Sequence, residues 1–192
     1  KIKGVEEIEV LNEVRTLCKV NPDAEWTQAV VVMRDDYHNQ SFDIYQLRAG
    51  EWPKKKHFAI ERMSSEFHHL DVGDRIIFEI NGREKEFSIS GKVRHPFVPP
   101  PEFGGEAHFF ADAQGLTHFD TPKGKFNELR VRVTPYSADL AREVATEIKG
   151  RLSKEEVGVA STFYQDPSKH WAGDIMDSFL LILKVLAIVS LG

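Results

Sequence analysis

The chain has 192 residues, 41% of them hydrophobic and 29% charged, which is enough to bury a core in one domain or in two small ones. Its 30 acidic and 25 basic residues leave a formal net charge of −5, so the basic footprint of a nucleic-acid binder is missing. A single cysteine, Cys18, excludes an intramolecular disulfide and suits either side of a membrane. Beginning at Lys1 with no signal peptide, the sequence is expected to be a piece of a longer gene product.

Residues 1–20 satisfy helical and strand periods in part, and a strand over Glu9–Val20 is favoured. Asn21-Pro22-Asp23 is a turn signal. The β-branched run Ala29–Met33 reads as a buried strand and Phe42–Leu47 as another, with the polar loop 35–40 between them. Asp35 and Asp36 stand side by side there, but no third carboxylate follows at cation-loop spacing, so solvation is the better reading. Gly50-Glu51-Trp52-Pro53 breaks the chain. Strand His57–Ile60 follows, then a short helix with Met63, Phe67 and Leu70 on one face. Asp71–Asp74 is a tight turn, Arg75–Ile80 a strand, and Asn81-Gly82 a strong hairpin signal returning into Lys85–Val93. His95–Gly105 carries Pro96, Pro99, Pro100 and Pro101 and reads as a stiff loop, a candidate docking edge.

Strand His108–Ala111 and a helical turn within Asp112–Phe119 come next. Leu129, Val131 and Val133 alternate with Arg130, Arg132 and Thr134, which describes a strand with one buried face. Ser137 is a good N-cap for a helix in which Leu140, Val144 and Ile148 recur every fourth residue as far as Gly150. Val157–Phe163 is expected to add a last strand.

The C-terminal run from Phe179 to Gly192 holds 10 Leu, Ile, Val or Phe residues and one charge, Lys184. It is shorter than the roughly 20 apolar residues needed to span a bilayer. A buried core helix and the first half of a span are both open readings. Upstream, Ile175, Phe179 and Leu183 give one apolar face; beyond Lys184 the run is apolar all round. That change favours a stalk entering lipid, with Lys184 at the interface.

No phosphate-cradling glycine loop and no Gly-x-Ser-x-Gly elbow is present, so neither ATP hydrolysis nor nucleophilic catalysis is indicated. The adjacent His68 and His69, and the separated His95, His108 and His118, lack the close spacing of zinc ligands. Lys54-Lys55-Lys56 reads as a solvated surface. No catalytic, cofactor or metal residue is therefore expected.

Gly50-Glu51-Trp52-Pro53, His57–Glu61, Phe67–Asp74 with its Leu-x-Val-Gly-Asp ending, and Phe87–Val93 with its Ile-x-Gly-x-Val ending together resemble the extracytoplasmic domain of FtsX/MacB-like ABC transporter permeases. The resemblance implies an α+β fold of two lobes. A discontinuous membrane-proximal α/β lobe would comprise 1–50 and 126–168. A β-rich lobe, 51–125, would be inserted in it, and 169–192 would be a stalk leading into a transmembrane helix. It further implies a bacterial inner-membrane protein with this domain outside, working with an ABC ATPase, as a permease dimer, and with an extracytoplasmic protein partner. ATP hydrolysis in the cytoplasm would be coupled to substrate handling outside, with no cofactor. The alternative is a soluble extracytoplasmic interaction or chaperone domain whose C-terminal helix is core.

Overall fold

The computed structural model describes residues 2–103, 106–119, 124–168 and 180; apart from Leu180, the expected stalk and apolar tail lie outside the described residues. In chain order the elements are β1 (Val5–Lys19), β2 (Thr27–Arg34), β3 (Gln46–Gly50), β4 (His57–Glu61), α1 (Arg62–His68), β5 (Arg75–Ile80), β6 (Arg83–Arg94), β7 (Ala107–Asp112), β8 (Glu128–Val133) and α2 (Ala138–Lys154). By compactness the chain divides into Ile8–Arg130 and, separately, Lys1–Glu7 with Val131–Gly192. The sequence placed its boundaries near residues 50 and 126 instead. In the structure β2 and β3, from before residue 50, pair with β7 and β6 from after it.

Within Ile8–Arg130 six strands close a ring. β1 pairs antiparallel with β2, β2 parallel with β7, β7 antiparallel with β4, and β4 parallel with β6. β6 then pairs antiparallel with β5, and β5 returns to β1 through Leu17↔Glu79, Cys18↔Phe78 and Lys19↔Ile77. Closure removes most of the free edge that an open sheet would leave. Because successive side chains point to opposite faces, each central strand feeds two clusters. Ala29, Val31, Met33, Phe58, Ile60, Phe78, Phe87, Phe109 and Ala111 share one core. Val30, Val32, Ala59, Val93 and Phe110 face the other way, onto Tyr37 and Tyr45. Burial on both faces explains the unbroken Val30-Val31-Val32 run.

The tight points of this ring need glycine. A Cβ on Gly91 would stand 2.3 Å from the Glu51 carbonyl, and one on Gly50, where φ is +68°, would stand 2.2 Å from the Ser90 carbonyl. The β5–β6 hairpin turns at Asn81 and Gly82 with φ of 55° and 72°, the left-handed pair that this dipeptide supplies.

Other expectations shift. β3 begins at Gln46, not Phe42, because the Gln40 side chain accepts from the Tyr45 amide at 2.8 Å and donates to its carbonyl at 3.0 Å, taking the place of a ladder. In α1 the buried residues are Ser64 and Ser65; of the expected apolar face, Leu70 just beyond the helix is buried in the core, Met63 is half-buried and Phe67 is 46% exposed, so that face is packed only in part. Ser64 and Ser65 turn inward because each has a partner: Ser64 Oγ accepts the His108 amide and Ser65 Oγ donates to the Leu70 carbonyl.

In the other unit, α2 is capped by Ser137, whose Oγ accepts from the Leu140 amide at 3.1 Å, and Val144 is its buried residue. Leu140 covers Gly4, and the Thr134 amide donates to the Gly4 carbonyl at 2.9 Å. β8 is half-buried at every position rather than alternating. Residues 157–163 do not form the expected strand: they are irregular, with Val157, Val159 and Phe163 at 48%, 41% and 91% exposure. Alternating valines mark which side chains share a face, and they do not supply a partner for the backbone.

Candidate functional site

The lysines at 54–56 form a built structure. Lys54 and His57 exchange both backbone hydrogen bonds at 2.9 Å, closing a two-residue hairpin loop with Lys55 and Lys56 at its centre. Lys55 has φ of +56°, in the first central position, where such loops usually carry glycine. Holding a lysine there costs about 1–2 kcal/mol. Asp112 secures it: Oδ2 accepts from the Lys55 amide at 3.0 Å, and Oδ1 accepts from the Gly115 amide at 2.8 Å. One carboxylate thus ties the lysine loop to the 3-10 turn Gly115–Phe119.

Between loop and turn lies an open cleft of about 390 Å³, lined by Lys55, Lys56, His57, Gln114, Thr117 and His118. None of the six is acidic. Lys85 stands behind them, its Nζ donating to the His118 carbonyl at 3.1 Å. Partial burial, then Lys56 and Lys85, hold the His118 imidazole below its ordinary pKa, with Asp112 opposing them. His118 itself packs edge-on against Phe87, ring centres 5.2 Å apart. The sequence showed the three lysines but not this cleft, because its other wall comes from nearly 60 positions further on.

The proline loop is pinned at its start. His95 packs on Tyr45 with ring centres 4.6 Å apart, and its Nδ1 accepts from the Phe97 amide at 3.0 Å. Val98 and Pro101 are buried, so this segment, the candidate docking edge, turns part of its apolar surface inward. Beneath it lies a charged network that the sequence did not reveal. Arg34, 3% exposed, donates to Gln40 at 3.0 Å, to the Phe42 carbonyl at 3.0 Å and to Glu9 at 3.2 Å. Arg130 bonds both Asp43 and Glu128.

The remaining candidates serve the fold. Asp36 accepts from the amides of His38 and Asn39, an Asx turn within the 35–40 loop. Cys18 is buried, with its Sγ 3.4 Å from Thr27 Oγ1. His95 and His108 come together with ring centres 6.4 Å apart. Among the described residues no group of three or more His, Cys, Asp or Glu could hold a metal ion, and no helix is long and apolar enough to cross a membrane.

No protein-family model matches the chain, and no curated protein matches it either. Solved structures do. The periplasmic region of MacB from Actinobacillus actinomycetemcomitans superposes with a TM-score of 0.50 at 13% identity, covering 82% of this chain and 71% of that one. The extracellular domain of the noncanonic ABC-type transporter YknZ from Gram-positive bacteria gives 0.51 at 11% identity, with 80% and 78% covered. The chain has a MacB-like extracytoplasmic domain fold. The α+β class agrees, and within it Gly50 and Gly91, two residues that carried the resemblance, sit where backbones approach too closely for a Cβ. Likeness at this level of identity extends to architecture alone; the cleft and the charged network belong to this chain's own residues.

Proposed function

We propose that this chain is the extracytoplasmic domain of an ABC transporter permease subunit in a bacterial inner membrane. The observation that supports it most is the superposition, over about four fifths of the chain, on the extracytoplasmic parts of two ABC-type transporters. In this role the domain itself makes and breaks no bonds. A cytoplasmic ABC ATPase, separate or fused, supplies the energy. The segment 169–192 forms the stalk and the start of a transmembrane helix, and a permease dimer passes its motion to substrate or to an extracytoplasmic protein partner outside.

The test is purification of the full-length gene product from detergent-solubilised membranes. Co-purification of an ATP-binding-cassette subunit or domain, with ATP hydrolysis in the preparation, is the expected result. Recovery of the whole product in the soluble fraction, without such a subunit, would overturn the proposal.

A further inference from the structure

We propose that the cleft between the Lys54–His57 loop and the Gly115–Phe119 turn is a binding site for a phosphate group. The cleft is defined by this chain's own side chains and does not depend on the transporter reading.

Charge is the first argument. Acidic residues outnumber basic ones in the chain, 30 to 25, yet the cleft wall holds two lysines, two histidines and no carboxylate. Lys55 and Lys56 make no ion pair with any described residue, whereas neighbouring Lys54 approaches Glu51 at 3.8 Å. Lys85 adds a third ammonium behind His118. Asp112, which lies close by, has each carboxylate oxygen committed to a backbone amide, of Lys55 and of Gly115. Two adjacent ammonium groups that no described carboxylate pairs with directly form a local positive field that an anion would satisfy.

The second argument is the backbone. Lys55 occupies a left-handed conformation, with φ of +56°, that glycine would take without strain. Strain of this kind persists where the surroundings over-determine it, and here Asp112 does so by fixing the Lys55 amide. The lysine that lines the cleft is thereby carried on a fixed turn.

Chemical type comes from the donor set. No arginine lines the cleft, so the planar two-pronged pairing that suits carboxylates is missing. Compact lysine ammoniums, together with imidazole and amide N–H groups from His57, His118 and Gln114, suit the several oxygens of a tetrahedral phosphate better. A volume of about 390 Å³ exceeds a single phosphate and leaves room for the group to which it is esterified.

The source, a soluble phosphate compound or a phospholipid headgroup, is separated by two arms of one experiment. The full chain is titrated with pyrophosphate while backbone amide shifts are followed, and it is sedimented with phosphatidylcholine vesicles with and without phosphatidylglycerol. Lys55→Glu/Lys56→Glu is the test variant and Lys54→Glu the charge control, with heat denaturation confirming that each is folded. Comparing variants keeps the contribution of the apolar run 179–192 to vesicle binding constant.

Saturable shifts confined to residues 55–57 and 114–118, at least tenfold weaker in the double variant and changed less than twofold in Lys54→Glu, support a soluble source. Phosphatidylglycerol-dependent sedimentation lost in the double variant, without pyrophosphate saturation, supports the headgroup. Sulfate binding as tightly as pyrophosphate, equal losses in Lys54→Glu, or no response in either arm overturns the proposal.

Discussion

The guanidinium of Arg34 lies 4.1 Å from the centre of the Tyr45 ring, so the cation rests on an aromatic face while its nitrogens reach Glu9, Gln40 and the Phe42 carbonyl. This explains why a charged residue ends the apolar run of β2. Its charge is paired, its two terminal nitrogens are hydrogen-bonded, and its flat face is covered, while Nε is buried without a partner among the described residues. Replacing Arg34 with alanine leaves Glu9, among the described residues, with only the more distant Arg130 as ion-pair partner, at 4.0 Å, and removes the bonds that shape the 40–45 segment. The expected loss is about 3 kcal/mol, read as a lower urea midpoint at unchanged slope. A loss under about 0.5 kcal/mol, the range of ordinary surface substitutions, would show the network to be incidental.

His95 predicts a pH dependence. Burial, then His108, Arg130 and Arg34, bring its imidazole down from 6.5 to about 3. Around it stand Tyr45, Phe97, Phe110 and His108, with the Glu61 carboxylate accepting its backbone amide. Between these two pKa values the unfolded chain binds a proton that the folded chain refuses, so stability falls as the pH drops from 7. The His95 share of that loss by pH 5 is about 2 kcal/mol. In His95→Phe the loss over the same interval should be smaller by about that amount. Identical pH profiles for the two proteins would contradict the assignment.

Gly91 predicts a packing failure. Alanine there would put its methyl 2.3 Å from the Glu51 carbonyl and 2.9 Å from that of Ala49, both backbone atoms that cannot swing aside. The expected cost is about 2–4 kcal/mol, checked by thermal unfolding, whereas alanine at Gly150, which meets nothing within 4 Å and lies in α2, should stabilise by roughly 0.5–1 kcal/mol.

Lys55→Gly relieves the left-handed lysine and removes one ammonium from the cleft. Stability should rise by roughly 0.5–1 kcal/mol, because the strain released exceeds the backbone entropy that glycine adds. Calorimetry checks this, and a lower midpoint would mean that Lys55 makes stabilising contacts of its own.

Local chemistry made much of the fold legible. Asn81-Gly82 announced the β5–β6 hairpin, Ser137 announced α2, and Gly50 and Gly91 carried the family resemblance because backbones meet there. The failures share a cause: pattern shows which side chains share a face and says nothing of what lies opposite. Phe42–Tyr45 looks like a strand but is held by the Gln40 side chain. Val157–Phe163 alternates but has no ladder, and Phe67 lies on the outer side of α1 because two serines found partners inside. The cleft was illegible for the same reason, since Asp112, Gln114 and His118 meet the lysines only through the sheet. The buried Arg34 and Arg130 network is likewise assembled from four separate segments.

The central claim, that this domain lies outside the cytoplasm, is tested most directly by labelling a cysteine in intact cells. Cys18 is 1% exposed, and burial raises its thiol pKa, so it should stay silent. Arg83, exposed on the β5–β6 hairpin, takes the reporter as Arg83→Cys in the full-length gene product. Reaction with a membrane-impermeant maleimide in intact cells, equal to that after lysis, is the predicted result. Labelling only after lysis would place the domain in the cytoplasm and contradict the account.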